Sequence, residues 1–423
     1  MLSTLVLMVI GVLFIYSSGV TSSGVALSNE YLKQIIWVAL GLAIMVAFVL
    51  TNYYRIGEFS IYIYLAFLCL LVFTLFFGKV VNGARSWIPI FAFGFQPSEF
   101  AKVATILYLA HYFEGIRPGT NDIQRFSVAF FIVLVPMILI LLQPDMGTAL
   151  VFIPIFLIMS YIAGIKSRYV AFSFLAGALL IFLSVLPAWE EYIAGTESIV
   201  VDILSSPSYS SYILGMLGVI IGLSSIGYYM WRRKYFYWLI YSFAIVLGSY
   251  GGSFVFRALL KDYQIKRLIV FLKPGIDPQG AGWNVIQSVT AVGSGGLLGK
   301  GWLNGTQSHY RYLPQQSTDF IFSIIAEEWG FIGSVFIFVL FMVIIFRGLV
   351  IVMSARDDYA SYVAGGVVGM IAFHIFINIG MAMGIMPITG IPLFFLSYGG
   401  SSLWTALIGI GLLLSIHIRR YRY

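Results

Sequence analysis

LSTLVLMVIGVLFIYSS, residues 2–18, contains no charged side chain. About 20 apolar residues of helix cross the hydrocarbon core of a bilayer. Windows of about that length with few or no charges recur at 33–51, 58–77, 97–114, 126–142, 147–164, 169–187, 211–230, 236–255, 319–346, 361–385 and 401–418. The fold class expected is an all-α integral membrane protein, a polytopic helical bundle of about 12 transmembrane helices. Composition agrees: 60% of the 423 residues are hydrophobic and 10% charged, where a soluble domain has roughly a quarter charged. No basic segment or cleavage site precedes Leu2, so the first span is expected to double as the insertion signal.

The formal charge of +7 does not imply a nucleic-acid partner, because no soluble segment is long enough to carry a basic face. Membrane orientation accounts for it. With the N-terminus in the cytoplasm, inner loops hold Arg55, Arg117, Arg125, Lys166, Arg168, Arg232, Arg233, Lys234, Arg347, Arg356, Arg419, Arg420 and Arg422. The outer segment 188–210 carries Glu190, Glu191, Glu197 and Asp202 without Lys or Arg. Both termini are thus expected in the cytoplasm, with 256–318 as a long extracytoplasmic loop. The lone Cys69 lies in an apolar window and can form neither a disulfide with another Cys of the chain nor a thiolate cluster.

Four polar segments interrupt the apolar pattern. Asn82-Gly83-Ala84-Arg85-Ser86-Trp87 leads into Gln96-Pro97-Ser98-Glu99-Phe100-Ala101-Lys102, where Pro97 can open a helix that Gln96 or Ser98 caps. Glu99 and Lys102, three apart, share a helix face and either neutralise one another or meet a substrate. Gln143-Pro144-Asp145-Met146-Gly147-Thr148 reads as a tight turn with an exposed carboxylate, or as Asp145 capping the next helix. The third segment, from Asp277-Pro278-Gln279-Gly280 through Gly299-Lys300-Gly301 and Gly305-Thr306-Gln307-Ser308 to Thr318-Asp319, interleaves Trp283, Ile286 and Val289 at helical spacing. It is expected to fold back onto the membrane face.

A nucleotide-binding loop is excluded there, since Ser294 stands where the first glycine is required and Gly301 where Ser or Thr would hold magnesium. The fourth segment, Thr389-Gly390-Ile391-Pro392 to Ser397-Tyr398-Gly399-Gly400-Ser401-Ser402, reads as re-entrant backbone lining a cavity or as a flexible hairpin.

Taken in order, these motifs resemble the SEDS family (shape, elongation, division and sporulation), the integral-membrane peptidoglycan glycosyltransferases of bacteria. Met386-Pro387-Ile388-Thr389-Gly390-Ile391-Pro392-Leu393 is similar to its elongation members, since division members usually have lysine before that second glycine. The resemblance covers 1–187 and 256–423 of one polytopic domain spanning 1–423; residues 188–255 depart from a ten-helix plan as an insertion with two extra helices. Where the family usually has Leu-Pro-Glu-x-His-Thr-Asp, this chain has Leu313-Pro314-Gln315-Gln316-Ser317-Thr318-Asp319, which keeps only the aspartate.

The resemblance implies polymerisation of lipid II in the bacterial cytoplasmic membrane, for cell elongation and rod shape. A glucosamine 4-hydroxyl displaces undecaprenyl pyrophosphate from a muramyl C1, with inversion to a β-1,4 glycan. Asp319 is the expected general base. Arg85, Lys102, Lys266, Arg267, Lys273 and Lys300 are candidate cations for the pyrophosphate, Arg85 and Lys102 foremost. Gln307, Ser308 and Thr318 could orient sugar hydroxyls or stabilise the loop, and Gln96, Ser98, Glu99 and Asp145 complete the substrate-binding set. A divalent cation, Mg2+ or Mn2+, could serve too, with no nucleotide; its ligands are unassigned.

His309 is read as a solvated loop residue, Glu327 and Glu328 as structurally paired, and His374 and Asn378 as outside the site. Implied partners are a class B penicillin-binding transpeptidase, other elongation-complex membrane proteins and membrane lipids. The rival reading is a lipid II flippase, which needs a polar path to the cytoplasmic side, whereas the polar motifs gather on the outer half.

Overall fold

A computed structural model describes every residue except 22–24, 26, 82, 91, 92, 117, 118, 196, 197, 261, 279, 311 and 421–423. Of the residues named above, Asn82, Arg117, Glu197, Gln279 and Arg422 lie outside the described residues. The chain forms two compact units, Met1–Ile165 with Pro278–Tyr423, and Lys166–Asp277. The unit boundary at 277/278 falls inside the stretch expected to be one long loop.

In the larger unit the helices are α1 (Leu2–Gly19), α2 (Glu30–Leu50), α3 (Tyr53–Glu58), α4 (Ser60–Phe77), α5 (Pro97–Glu114), α6 (Asp122–Leu142), α7 (Met146–Leu150) and α8 (Phe152–Ile162). The smaller unit holds α9 (Ser167–Trp189), α10 (Ile199–Ser205), α11 (Pro207–Trp231), α12 (Lys234–Leu259) and α13 (Asp262–Val270). The larger unit resumes with α14 (Ala281–Ser294), α15 (Thr306–His309), α16 (Ile321–Met353), α17 (Asp358–Ala382) and α18 (Gly400–Arg419).

Among the described residues, ten helices are long and apolar enough to cross a membrane. The expected twelve are not reached, and the two windows that fall short have separate reasons. α5 carries Glu99, Lys102 and Glu114, charges that lipid would not tolerate, and it is buried along most of its length among α4, α6, α17 and α18. The window 147–164 divides into α7 and α8 at Val151. Pro154 has no N–H to give the Leu150 carbonyl, which weakens the helix at that joint.

The all-α expectation also misses a small sheet. β1 (Lys79–Val81), β2 (Ala84–Ile90) and β3 (Phe93–Phe95) form an antiparallel meander in that order, with Val81 opposite Ala84 and Ile90 opposite Phe93. It fills the connection between α4 and α5 and delivers the chain to Gln96.

α16 breaks at Gly330, whose φ of 63° and ψ of −160° leave the helical region. The break frees backbone groups that the preceding loop satisfies. The Lys300 and Gly301 amides donate to the Glu327 and Glu328 carbonyls at 3.0 Å, and the Phe331 amide donates to the Gly296 carbonyl at 2.9 Å. A Cβ on Gly330 would stand 2.8 Å from the Leu297 carbonyl. α14 forms where helical spacing was read; Val285, Ser288 and Ala291 are buried, and Trp283, Ile286 and Val289 face outward.

Candidate active site

Asp319 closes the turn that precedes α16. The amides of Thr318, Asp319 and Phe320 all turn toward the Gln315 carbonyl, at 3.3, 3.1 and 3.4 Å. Beneath lies the connection 383–399, non-helical yet buried from Ile391 to Ser397 apart from the half-buried Pro392. Such backbone is tolerated at membrane depth only against protein or a cavity. The two segments are stitched together: Ser397 Oγ donates to the Thr318 carbonyl at 2.5 Å, and the Tyr398 amide to the Ser317 carbonyl at 2.8 Å. A Cβ on Gly390 would stand 3.7 Å from Asp319 Oδ2. Gly390 is exposed and Asp319 half-buried.

α5 brings a second polar centre. Lys102 Nζ lies 2.8 Å from Glu99 Oε1 and 3.1 Å from His374 Nε2, and all three side chains are buried. The i,i+3 pairing read from sequence is therefore formed, beneath the surface. Ser98 is buried beside it, its Oγ without a hydrogen-bond partner. Gln96 takes the N-cap position of α5, but its side chain turns away and donates to Asp145 Oδ2 at 3.0 Å.

Asp145 caps α7, Oδ1 accepting from the Thr148 amide at 3.2 Å. The exposed carboxylate expected there is in fact half-buried. Burial raises its pKa above the ordinary aspartate value; the Thr148 contacts, the Lys102 charge and the Gln96 hydrogen bond pull it partly back. A Cβ on Gly147 would overlap the Thr389 carbonyl, so this cap packs directly on the connection that faces Asp319. The Arg85 amide donates to the Gln143 carbonyl at 3.0 Å, which ties β2 to the same turn and leaves the Arg85 side chain exposed.

The remaining candidates gather elsewhere. Glu327 Oε1 accepts from Lys300 Nζ at 2.7 Å, the Thr306 amide at 2.8 Å, Thr306 Oγ1 at 2.9 Å and the Gln307 amide at 3.0 Å. Glu328 accepts from Ser17 Oγ at 2.5 Å and the Leu303 amide at 3.1 Å. Lys300 and Gln307 thus serve a latch between the loop and the α16 kink, and Ser308 Oγ folds back on the Gly305 carbonyl. Thr318 Oγ1 donates within its own turn, to the Gln315 carbonyl at 3.2 Å. His309, expected in solvent, is buried with Nδ1 2.6 Å from the Val20 carbonyl and Nε2 3.6 Å from Glu328, because α15 packs on α1. Lys266, Arg267 and Lys273 belong to the smaller unit.

The structure brings together Asp319, Gly390, Thr389, Gly147 and Asp145, with Gln96, Glu99 and Lys102 below them. His374 and Asn378, expected outside the site, bind this group together. Their four-residue spacing on an otherwise apolar helix was the available signal.

A family model described as "Cell cycle protein", for FtsW, RodA and SpoVE, matches residues 1–212 and 198–422. The peptidoglycan glycosyltransferase RodA of Treponema pallidum is 48% identical over 420 residues, covering 99% of this chain and 97% of that protein. Stage V sporulation protein E of Bacillus subtilis is 33% identical, covering 98% of this chain and 94% of that one. The peptidoglycan glycosyltransferase MrdB of Escherichia coli is 32% identical, covering 99% and 93%.

Among solved structures, a chain from work on the structural coordination of polymerization and crosslinking by a peptidoglycan synthase complex superposes with a TM-score of 0.69 at 26% identity. It covers 100% of this chain and 99% of that one. The rod shape determining protein RodA of Thermus thermophilus shares the fold, with a TM-score of 0.60 at 23% identity and coverage of 100% and 96%.

Proposed function

This chain belongs to the FtsW, RodA and SpoVE family of cell cycle proteins and is a multi-pass membrane peptidoglycan glycosyltransferase of the RodA type; we propose that it polymerises lipid II with Asp319 as general base. One Asp319 carboxylate oxygen takes the proton from the glucosamine 4-hydroxyl of one lipid II. The freed oxygen bonds to the muramyl C1 of the other chain end from the face opposite the leaving group. The C1–O bond to undecaprenyl pyrophosphate breaks, and the pyrophosphate carries away the electron pair. The α-linked donor becomes a β-1,4 link. The observation that carries this reading is a half-buried carboxylate over an exposed glycine, where four polar segments of the sequence converge.

Arg85, exposed on β2 beside the Asp145 turn, is the cation we assign to the pyrophosphate. Lys102, buried and paired, acts through its field on Asp145 rather than by contact. Gln96, Ser98, Glu99 and Asp145 shape the floor under the substrate, and Thr318 the wall before Asp319. Lys300, Gln307 and Ser308 hold the loop that frames the entrance. Among the described residues no three His, Cys, Asp or Glu side chains gather as metal ligands. A divalent cation would be held there by one or two carboxylates together with the pyrophosphate oxygens of the substrate, whose charge it would neutralise.

On charge asymmetry, both termini face the cytoplasm and the Asp319 side faces outward. Lipid II is the substrate, and a class B penicillin-binding transpeptidase with other elongation-complex membrane proteins forms the assembly. The test is to incubate the purified chain and its cognate transpeptidase with lipid II. The expected product is a glycan that a β-1,4 muramidase degrades. Unpolymerised lipid II, moved across vesicle bilayers instead, would overturn the reading in favour of transport.

A further inference from the structure

His374 and Asn378 stand four residues apart on one face of α17, and both are buried, at 1% and 0% exposure. His374 Nε2 lies 3.1 Å from Lys102 Nζ. An ammonium can only donate, so that ring nitrogen accepts, the imidazole is neutral, and its one N–H is on Nδ1. There it donates to the Pro392 carbonyl at 2.9 Å, while the ring stacks on Phe394 at 3.7 Å between centroids. Asn378 uses both amide hydrogens on carbonyls, those of Asp319 and Ile391, each at 2.8 Å. Its own Oδ1 has no hydrogen-bond partner in the protein. A buried acceptor left that way is a net cost, so packing alone does not favour asparagine there.

We propose that His374 and Asn378 are positioning residues of glycosyl transfer, holding the Asp319 main chain, the Ile391–Pro392 backbone and the Lys102 ammonium in one rigid frame. The inference rests on reading Asp319 as the base. Neither side chain touches substrate. Each fixes a group that does, or that sets the field around it: Asn378 pins the residue bearing the base to the backbone beneath it, and His374 pins that backbone to the cation of α5. A shift of about 1 Å at a reacting group can cost about a hundredfold in rate.

The experiment measures glycan polymerisation against lipid II concentration, using the full chain bound to its transpeptidase. Asn378→Ala, His374→Phe, His374→Gln and Asp319→Asn are compared with wild type, and thermal unfolding and partner retention are read on each sample. Asn378→Ala should lower kcat by about a hundredfold with KM within about twofold. His374→Phe keeps the ring on Phe394 and removes both hydrogen bonds, so kcat should fall by about tenfold or more. His374→Gln can still accept from Lys102 and donate to Pro392, so most of the rate should return.

Wild-type kcat in Asn378→Ala or in His374→Phe overturns the proposal. So does equal loss in the two His374 variants, or a greater loss in His374→Gln, since restoring the hydrogen bonds would then restore no rate. If Asn378→Ala does not fold, the His374 pair decides alone. An active Asp319→Asn would instead remove the base assignment on which the proposal stands, an outcome distinguishable from the others.

Discussion

Asp145 shows what one carboxylate does at two levels. As an N-cap it satisfies the Thr148 amide, and asparagine can do the same. Asp145→Asn should therefore unfold at the wild-type temperature in detergent at acid pH, where both side chains are neutral, whereas Asp145→Ala should lose about 1 kcal/mol there. The pH dependence follows from the raised pKa. The folded state binds this proton more tightly than the unfolded chain, so the group's stabilisation is complete below the ordinary value of 3.8 and is lost as pH rises through the folded value. Wild type should gain stability relative to Asp145→Asn as pH falls through that window, measured as the difference between their melting temperatures. The cap was legible, as aspartate directly before an apolar helix. Its burial was not, because Gln96 and Thr389 arrive from segments far along the chain. His309 was misread for the same reason, since its partners are Val20 and Glu328.

Glu327 and the Gly330 break make the loop before α16 a fixed element. Four contacts from Lys300, Thr306 and Gln307 converge on one buried carboxylate oxygen. Lys300→Met leaves that charge buried without its cation and should cost about 3–5 kcal/mol. Limited proteolysis should then cut between 300 and 309, where wild type resists. Gly330→Ala should destabilise by at least about 1–2 kcal/mol through its positive φ, and by more through contact with the Leu297 carbonyl. Unmoved melting temperature in either variant would mean that the latch does not hold this element. Long apolar runs made nearly all the spanning helices readable. The strands at 79–95 were not, because their three-, seven- and three-residue lengths lie below any clear alternation. The joint at Val151 was equally hidden, although Pro154 marks it.

For the molecule as a whole, the two ends of the bundle should face different compartments. Cys69 is the chain's one cysteine and lies in a span, so a single substitution gives a background for labelling. A cysteine at Arg233 should react with an impermeant maleimide only after the membrane is opened, and one at Tyr310 should react in intact cells; both positions are exposed. The reverse pattern would invert the orientation on which an outward-facing Asp319 depends. Charge asymmetry is the ground for expecting that orientation, and motif order made the family legible. What the sequence could not convey is how Glu99, Lys102, Asp145 and Asp319, spread over more than two hundred residues, are all tied to the one connection 383–399. The side chains that join them, His374 and Asn378, look from sequence like ordinary polar residues in an apolar helix. The most direct test of the central claim is the amount of glycan made from lipid II by wild type and by Asp319→Asn, each bound to its transpeptidase. Wild type should make polymer, and an equally folded, equally assembled variant none. Equal polymer from both would contradict it.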